Sequence, residues 1–396
     1  MKPGDILKPM NILFVSDVYL PTVSGVASST DSIVRFMAAQ GHRVTLVCPQ
    51  PLGEYVPLQA AGLEIVYTPG VSDKLFVNKS MTLFPLGFPV LWHVVLNNTF
   101  DIVHIQEPGS LGITALIIAK LFRLPVVGAQ HFSWSQIERV APPLIRWISV
   151  PFMKLYVRVI YAMYDEIMVP TATAARDLSA LIGRSGSIHP VSNGVDTGMY
   201  TPRTGSATVL RAKYRLSKDI PVLLYIGRLD ADKNIETILQ ALAITATPIR
   251  MMIAGVGKQK ERLQSLATSL KLTNIIWMDE VQKQVIIDLY QLADAFVIMS
   301  PVETQSIVAL QALACGLPLI AARAGALPEL VDGKNGVLVD AYDVNTLAST
   351  IDRLASDSTL RKSMGAQSRK ISLRHHKPTV LKRLEVLYKQ TMHPSS

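Results

Sequence analysis

Short, mainly apolar runs recur along the first half of the chain at 11–15, 43–48, 63–67, 101–105, 125–129 and 166–169, separated by segments of helix length. Apolar and polar residues do not alternate within these runs, which predicts strands buried on both faces, as in a parallel sheet covered by helices. A second set follows at 221–226, 249–253, 274–277, 295–299, 317–321 and 336–339. Between the sets lies 197–206, where Gly, Pro and Thr favour a turn over a packed element. The pattern predicts an α/β chain of two Rossmann-like doubly wound domains facing a central cleft. One domain is residues 1–200 and the other 201–375, with a basic helix over 376–396. Folds of this kind bind ligands at the carboxyl ends of their strands.

Composition agrees with two cores. Of 396 residues 49% are hydrophobic and 17% charged, which excludes a disordered chain and a coiled coil. The most apolar long stretch, 80–96, is broken by Pro85, Pro89 and His93 and falls short of the roughly 20 clean residues of a membrane span. The first ten residues carry Asp5 and Pro9 and lack the apolar run of a signal peptide. Cys48 and Cys315 each sit in an apolar run, read as buried residues of a protein in a reducing compartment. The expected location is the cytoplasm.

The net charge of +9 is unevenly placed. Residues 1–200 hold 14 Lys and Arg against 13 Asp and Glu, residues 201–360 hold 16 against 16, and the last 36 residues hold nine against Glu385 alone. A concentrated excess of this kind suits an anionic surface or forms a solvated helical face.

Three clusters carry candidate chemistry. After the first strand, the run from Ser16 to Val26 places Gly25 ahead of a helix predicted over 29–39, where backbone amides and the helix N-terminus attract an anion. The dinucleotide fingerprint GxGxxG is absent there. After the strand at 221–226, Gly227 leaves room beside the strand end, and Arg228 and Lys233 bring two cations to the start of a helix over 235–243. Together they would grip a diphosphate without a divalent metal, although surface pairing with Asp230 and Asp232 is the simpler alternative. In the third, Glu303 follows a buried strand and can accept hydrogen bonds from sugar hydroxyls, while the amides of Thr304, Gln305 and Ser306 can hold further oxygens. The competing reading makes Ser300 an N-cap with Glu303 in its capping box.

Taken in order, these clusters resemble the retaining glycosyltransferases of the GT-B fold, family 4. The matching stretches are Gly25-Val26, residues 101–104, Gln130-His131, residues 192–196, Gly227-Arg228, Lys233-Asn234, residues 254–257, the block from Glu303 through Pro318, and the closing run from Ala324 to Glu329 with Gly333 and residues 336–339. The resemblance implies a nucleotide-sugar donor, a UDP-hexose, held by the second domain with no cofactor or metal. Arg228 and Lys233 would bind its diphosphate, Gly25 would approach it, Glu303 would bind the transferred sugar and His131 would face that sugar. Gly227, Asn193, Thr304, Gln305, Ser306 and Gln311 complete the implied substrate-binding set. The C-terminal helix would return to the first domain. Two positions depart from the family pattern: Gln311 stands where a second glutamate usually binds the ribose, and Met278-Asp279-Glu280 lacks a glycine common near the base.

Between His131 and Asp165, aromatics and cations are interleaved with aliphatics: Phe132, Trp134, Arg139, Arg146, Trp147, Phe152, Lys154, Tyr156 and Arg158. Such a stretch suits a helix lying on anionic headgroups, and equally a helix packed on a sheet. Phe88 and Trp92 add to the same domain, and Glu303-Thr304-Gln305 resembles the loop of diacylglycerol glucosyltransferases. The expected membrane contacts are Arg139, Arg146, Trp147, Phe152, Lys154 and Arg158, the expected acceptor a lipid such as diacylglycerol, and the expected location the inner face of the cell membrane. Phosphatidylinositol or a soluble sugar is the alternative acceptor. A silent nucleotide-sugar-binding protein would account for Gln311. Nucleic acid is not an expected partner, since no helix-turn-helix or zinc spacing accompanies the basic tail.

Overall fold

The computed structural model describes the chain except residues 1–7, 23, 54, 57–58, 74–78, 133–145, 204–207, 218, 280 and 394–396. It divides into two compact units, residues 1–192 with 380–396, and residues 193–379.

In the first unit, β1 (Asn11–Val15), β2 (Arg43–Pro49), β3 (Leu63–Thr68), β6 (Ile102–Ile105), β7 (Val126–Ala129), β8 (Glu166–Val169) and β9 (Ile188–Pro190) pair in parallel in the order β3-β2-β1-β6-β7-β8-β9. A small antiparallel pair, β4 (Val71–Asp73) with β5 (Lys79–Met81), stands apart. The helices are α1 (Gly25–Ala39), α2 (Phe88–Asn97), α3 (Ser110–Leu121), α4 (Arg146–Ala162) and α5 (Ala172–Ile182). Helix α1 begins earlier than the sequence predicts, because Ser24 caps it by accepting the Ala27 amide (3.0 Å). β9 and the β4–β5 pair escape the sequence reading; three residues are too few to show a period.

The second unit holds β10 (Val222–Ile226), β11 (Arg250–Ala254), β12 (Ile275–Met278), β13 (Ala295–Ile298), β14 (Leu319–Ala322) and β15 (Gly336–Val339), all parallel, in the order β12-β11-β10-β13-β14-β15. Its helices are α6 (Thr208–Lys213), α7 (Ile235–Ile244), α8 (Lys260–Ser269), α9 (Lys283–Leu292), α10 (Ile307–Ala314), α11 (Val344–Ser356) and α12 (Ser358–Arg374). The last helix, α13 (Lys377–Met392), begins in this unit and ends in the first. Chain order reverses between β10 and β13, so two loops diverge from adjacent strand ends and leave a crevice at their carboxyl edge. The second unit takes in residues before the 197–206 stretch because Val195 bridges to His376, the Val195 and Lys377 amides bonding across that pairing.

Beyond Thr379, α13 buries Val380, Leu381, Leu384, Leu387 and Tyr388 against Ile12, Phe14, Val34 and Leu46. The Tyr388 hydroxyl lies 2.8 Å from His104 Nδ1, and His104 stacks on Phe14. Much of the C-terminal charge is consumed inside the fold. Lys382 and Lys389 flank the buried Glu385 carboxylate, holding it below the usual range against its desolvation; Arg369 donates to the carbonyls of Thr197, Tyr200 and Ala314, and Arg361 to those of Leu354 and Ala355. The basic segment is therefore split between two helices, and these four cations have structural tasks.

Candidate functional site

At the reversal in the second unit, the loop after β10 and the loop after β13 bring Lys233 and Glu303 together. Lys233 Nζ lies 2.8 Å from Glu303 Oε1 and 3.3 Å from Asp232 Oδ2, with both members of the Lys233–Glu303 pair mostly shielded from solvent. Arg228, more exposed, pairs with Asp230 and with Asp232 (3.1 Å). The backbone supports this arrangement from three sides. Tyr225 donates its hydroxyl to the Arg228 carbonyl (2.9 Å), and the buried Ser300 hydroxyl donates to the Asp232 carbonyl (3.0 Å). Asn234 takes a left-handed conformation (φ 52°) between the 3-10 turn Ala231–Lys233 and α7, its side-chain Nδ2 donating to the Met299 carbonyl (3.1 Å).

Two glycines let the loops approach. A Cβ at Gly255 (φ 150°) would stand 1.9 Å from the Gly227 carbonyl oxygen, and one at Gly325 (φ 55°) within 2.7 Å of the Glu303 backbone. Both are close contacts that a side chain would break. The Ala326 amide completes the second contact by bonding the Glu303 carbonyl (2.9 Å).

The cap of α10 is Ser306, which accepts the Ala309 amide (3.3 Å). This overturns the capping box on Ser300: the helix starts at Ile307, and Glu303 is left in the loop to meet Lys233. Thr304 stands beside it, half-buried. Gln305 is buried and its Oε1 accepts the Asn193 amide (2.7 Å), fixing the Asn193-Gly194 turn. Gln311 is held at both ends, its Nε2 donating to Tyr200 and its Oε1 lying 3.1 Å from the Tyr290 hydroxyl. Neither tyrosine is legible as a partner in sequence, since they lie on other elements. Replacing Gln311 with Glu should change the donor KM several-fold while kcat moves by less than about threefold, as for uniform binding. Steady-state kinetics checks this, and a complete loss of activity would assign Gln311 another task.

In the first unit, Gly25 is the opening residue of α1. His131 follows β7, and burial pushes its imidazole down to about 4; His104, buried in the sheet, is pushed down to about 3. Both rings are neutral at pH 7. Because their folded values lie below the unfolded value of about 6.5, the stability they contribute is complete above that pH and is lost as pH falls toward 4. Melting followed by circular dichroism should show a falling Tm over that window, and a smaller fall in His131→Gln.

Two acidic residues near β1 were missed by the sequence reading. Asp17 accepts the Leu111 and Gly112 amides (2.8 and 3.0 Å) at the start of α3, while burial pushes its carboxyl up to about 6. Glu107 accepts from the Ser16 hydroxyl (3.0 Å) and the Asp17 amide (3.2 Å). Asp17 ties the β1–α1 loop to α3 and Glu107 ties it to the loop after β6; an Asp just beyond a strand was the only signal.

Helix α4 turns an apolar stripe outward. Ile148, Phe152, Leu155 and Val159, at the spacing of one helical face, are exposed, with Trp147 76% exposed beside them. Arg146, Lys154 and Arg158 are on the exposed part of the same helix. The opposite side buries Val157 and Tyr161. Tyr156 belongs to the packed side, bonding the Pro108 carbonyl, which corrects its expected place among the interfacial aromatics. Phe88 and Trp92 are likewise engaged in packing, stacked on each other with Trp92 edge-on to Phe122. Arg139 and Trp134 lie outside the described residues, as does Glu280. Among the described residues no helix is long and apolar enough to cross a membrane.

Two doubly wound parallel sheets in one chain are the architecture of the GT-B glycosyltransferases. Residues 23–198 match the family model Glycosyltransferase Family 4, and residues 206–371 match Glycosyl transferases group 1. The chain belongs to family 4 of the glycosyltransferases. Over 384 residues it is 27% identical to sulfoquinovosyl transferase SQD2 of Arabidopsis thaliana, covering 93% of this chain and 71% of that one. It is 25% identical to alpha-monoglucosyldiacylglycerol synthase of Streptococcus pneumoniae, covering 79% and 71%. Among solved structures, sucrose-phosphate synthase from Thermosynechococcus elongatus matches with a TM-score of 0.79 at 20% identity, covering 98% of this chain and 100% of that chain. Anabaena HepE in complex with UDP matches at 0.76 and 18% identity, covering 96% and 100%.

Proposed function

We propose that this glycosyltransferase moves a hexose, with retention of configuration, from a UDP-sugar to a membrane lipid, with diacylglycerol as the acceptor class. The observation that carries the lipid reading is the exposed apolar stripe of α4, on a helix that also exposes Arg146, Lys154 and Arg158. That combination suits a helix lying at an anionic lipid surface. Two relatives support the chemistry: one is named a synthase of a glucosyldiacylglycerol, and the solved HepE structure holds UDP. Peripheral attachment to the cytoplasmic face of the cell membrane follows from the same reading.

In the reaction, the bond from the anomeric carbon to the diphosphate oxygen breaks and the acceptor hydroxyl oxygen bonds to that carbon on the same face. The hydroxyl proton passes to the departing diphosphate. Arg228 and Lys233 stabilise the charge gathering on that diphosphate, and Glu303 orients the hexose through its hydroxyls. His131 is neutral at pH 7, so the role that the family resemblance implies for it is hydrogen bonding without added charge. Purified protein incubated with a panel of UDP- and GDP-sugars and mixed lipid vesicles tests the proposal, with glycolipid read by mass. The expected product is a hexosyl diacylglycerol formed from a UDP-sugar; transfer to a soluble sugar without vesicles would overturn the lipid acceptor.

A further inference from the structure

Asp232 occupies a position that the transfer reaction itself does not explain. Its Oδ2 lies 3.1 Å from Arg228 Nη2 and 3.3 Å from Lys233 Nζ, so one carboxylate oxygen bridges both cations. Asp232 is not loosely placed: its carbonyl is held by the buried Ser300 hydroxyl, and the left-handed Asn234 follows two residues later. Each cation also has a second carboxylate, Asp230 on Arg228 and Glu303 on Lys233, so neither depends on Asp232 alone for neutralisation. Asp230 is turned toward Arg228 by the Lys258 amide, which bonds its other oxygen (2.9 Å).

We infer that Asp232 is an exchangeable stand-in for a donor phosphate: it holds Arg228 and Lys233 in the empty site, yields them when the diphosphate enters, and reclaims them as the nucleoside diphosphate leaves. This rests on the reading that Arg228 and Lys233 bind the diphosphate. A phosphate oxygen that engages both cations takes the place of the bridging carboxylate oxygen, and the displaced anion, fixed by its backbone, remains nearby. The retained negative charge weakens the hold on the product and speeds its escape. Asp232 is thus a positioning residue that trades nucleotide affinity for turnover, which matters where release of product limits the cycle.

The test is Asp232→Asn in the full chain, with uridine diphosphate as probe in calorimetry and in inhibition of transfer. The ion pairs are partly exposed, so the expected change is modest: UDP binds about three- to fivefold tighter, in the range set by such pairs. Donor KM and kcat fall together, inhibition by UDP strengthens, and an unchanged Tm shows that the fold is intact. A purely structural role for Asp232 would weaken binding and leave no such split. Equal or weaker UDP binding by the variant, when the wild type binds UDP and Arg228→Ala does not, overturns the inference alone. Failure of the wild type to bind UDP, or full binding by both Arg228→Ala and Lys233→Ala, overturns the diphosphate reading and the inference with it.

Discussion

Lys233→Ala and Glu303→Gln should each lower sugar transfer by about 10²–10³-fold, corresponding to about 3–4 kcal/mol of transition-state stabilisation. The two variants should nonetheless differ in nucleotide binding. Without Lys233, the mostly buried Glu303 loses the cation 2.8 Å away and faces an incoming diphosphate as an uncompensated negative charge. UDP affinity and turnover then fall together. In Glu303→Gln the side chain keeps its size, and Lys233 keeps Asp232 at 3.3 Å, so UDP still binds while transfer is lost. Calorimetry with UDP beside a transfer assay separates the two. Near-normal turnover in either variant would remove the Lys233–Glu303 pair from the chemistry.

Replacing Trp147 and Phe152 with serine should reduce binding to anionic vesicles by roughly a hundredfold or more, since insertion of each such side chain contributes on the order of 1.5–3 kcal/mol. Both are largely exposed, 76% and 66%, so the substitution leaves the packed side of α4, Val157 and Tyr161, untouched. Activity on lipid acceptors should fall in parallel while UDP affinity is unchanged. Removing the exposed Lys362 and Lys370 instead should have a smaller effect, because charge alone holds a protein at the surface without carrying it into the interface. Co-sedimentation at low and high salt with neutral and anionic vesicles measures both. Equal partition between the two vesicle types would remove the membrane surface as a partner.

Apart from β9, the strands of both sheets were legible because burial on two faces leaves mostly apolar runs, and β1, β8 and β15 begin and end where those runs do. The residues of the donor loops were legible as types: two cations after β10 and a carboxylate after β13. Their partners were not. That Ser300 would hold Asp232, or Gln311 would lie between Tyr200 and Tyr290, depends on which loops the sheet order brings side by side. The same limit explains the capping box at Ser300, a match in local spacing that the loop geometry sets aside in favour of Ser306. On α4 the composition was legible and the orientation was not: Tyr156 and Phe152 look alike in sequence, yet one bonds the Pro108 carbonyl and the other stands in solvent.

The crossing of α13 into the first unit has a consequence for biosynthesis. Tyr388, Leu384 and Val380 complete a core whose other members, such as Ile12 and Phe14, leave the ribosome before any residue of the second unit. The amino-terminal half therefore emerges first but cannot close its core until the whole carboxyl-terminal half has been made. Its exposed sheet must wait throughout translation of residues 193–379. Order of synthesis and order of completion are reversed in this chain, and a ribosome that stops short of α13 releases one polypeptide whose first unit lacks its final layer and whose second unit has no helix to send back.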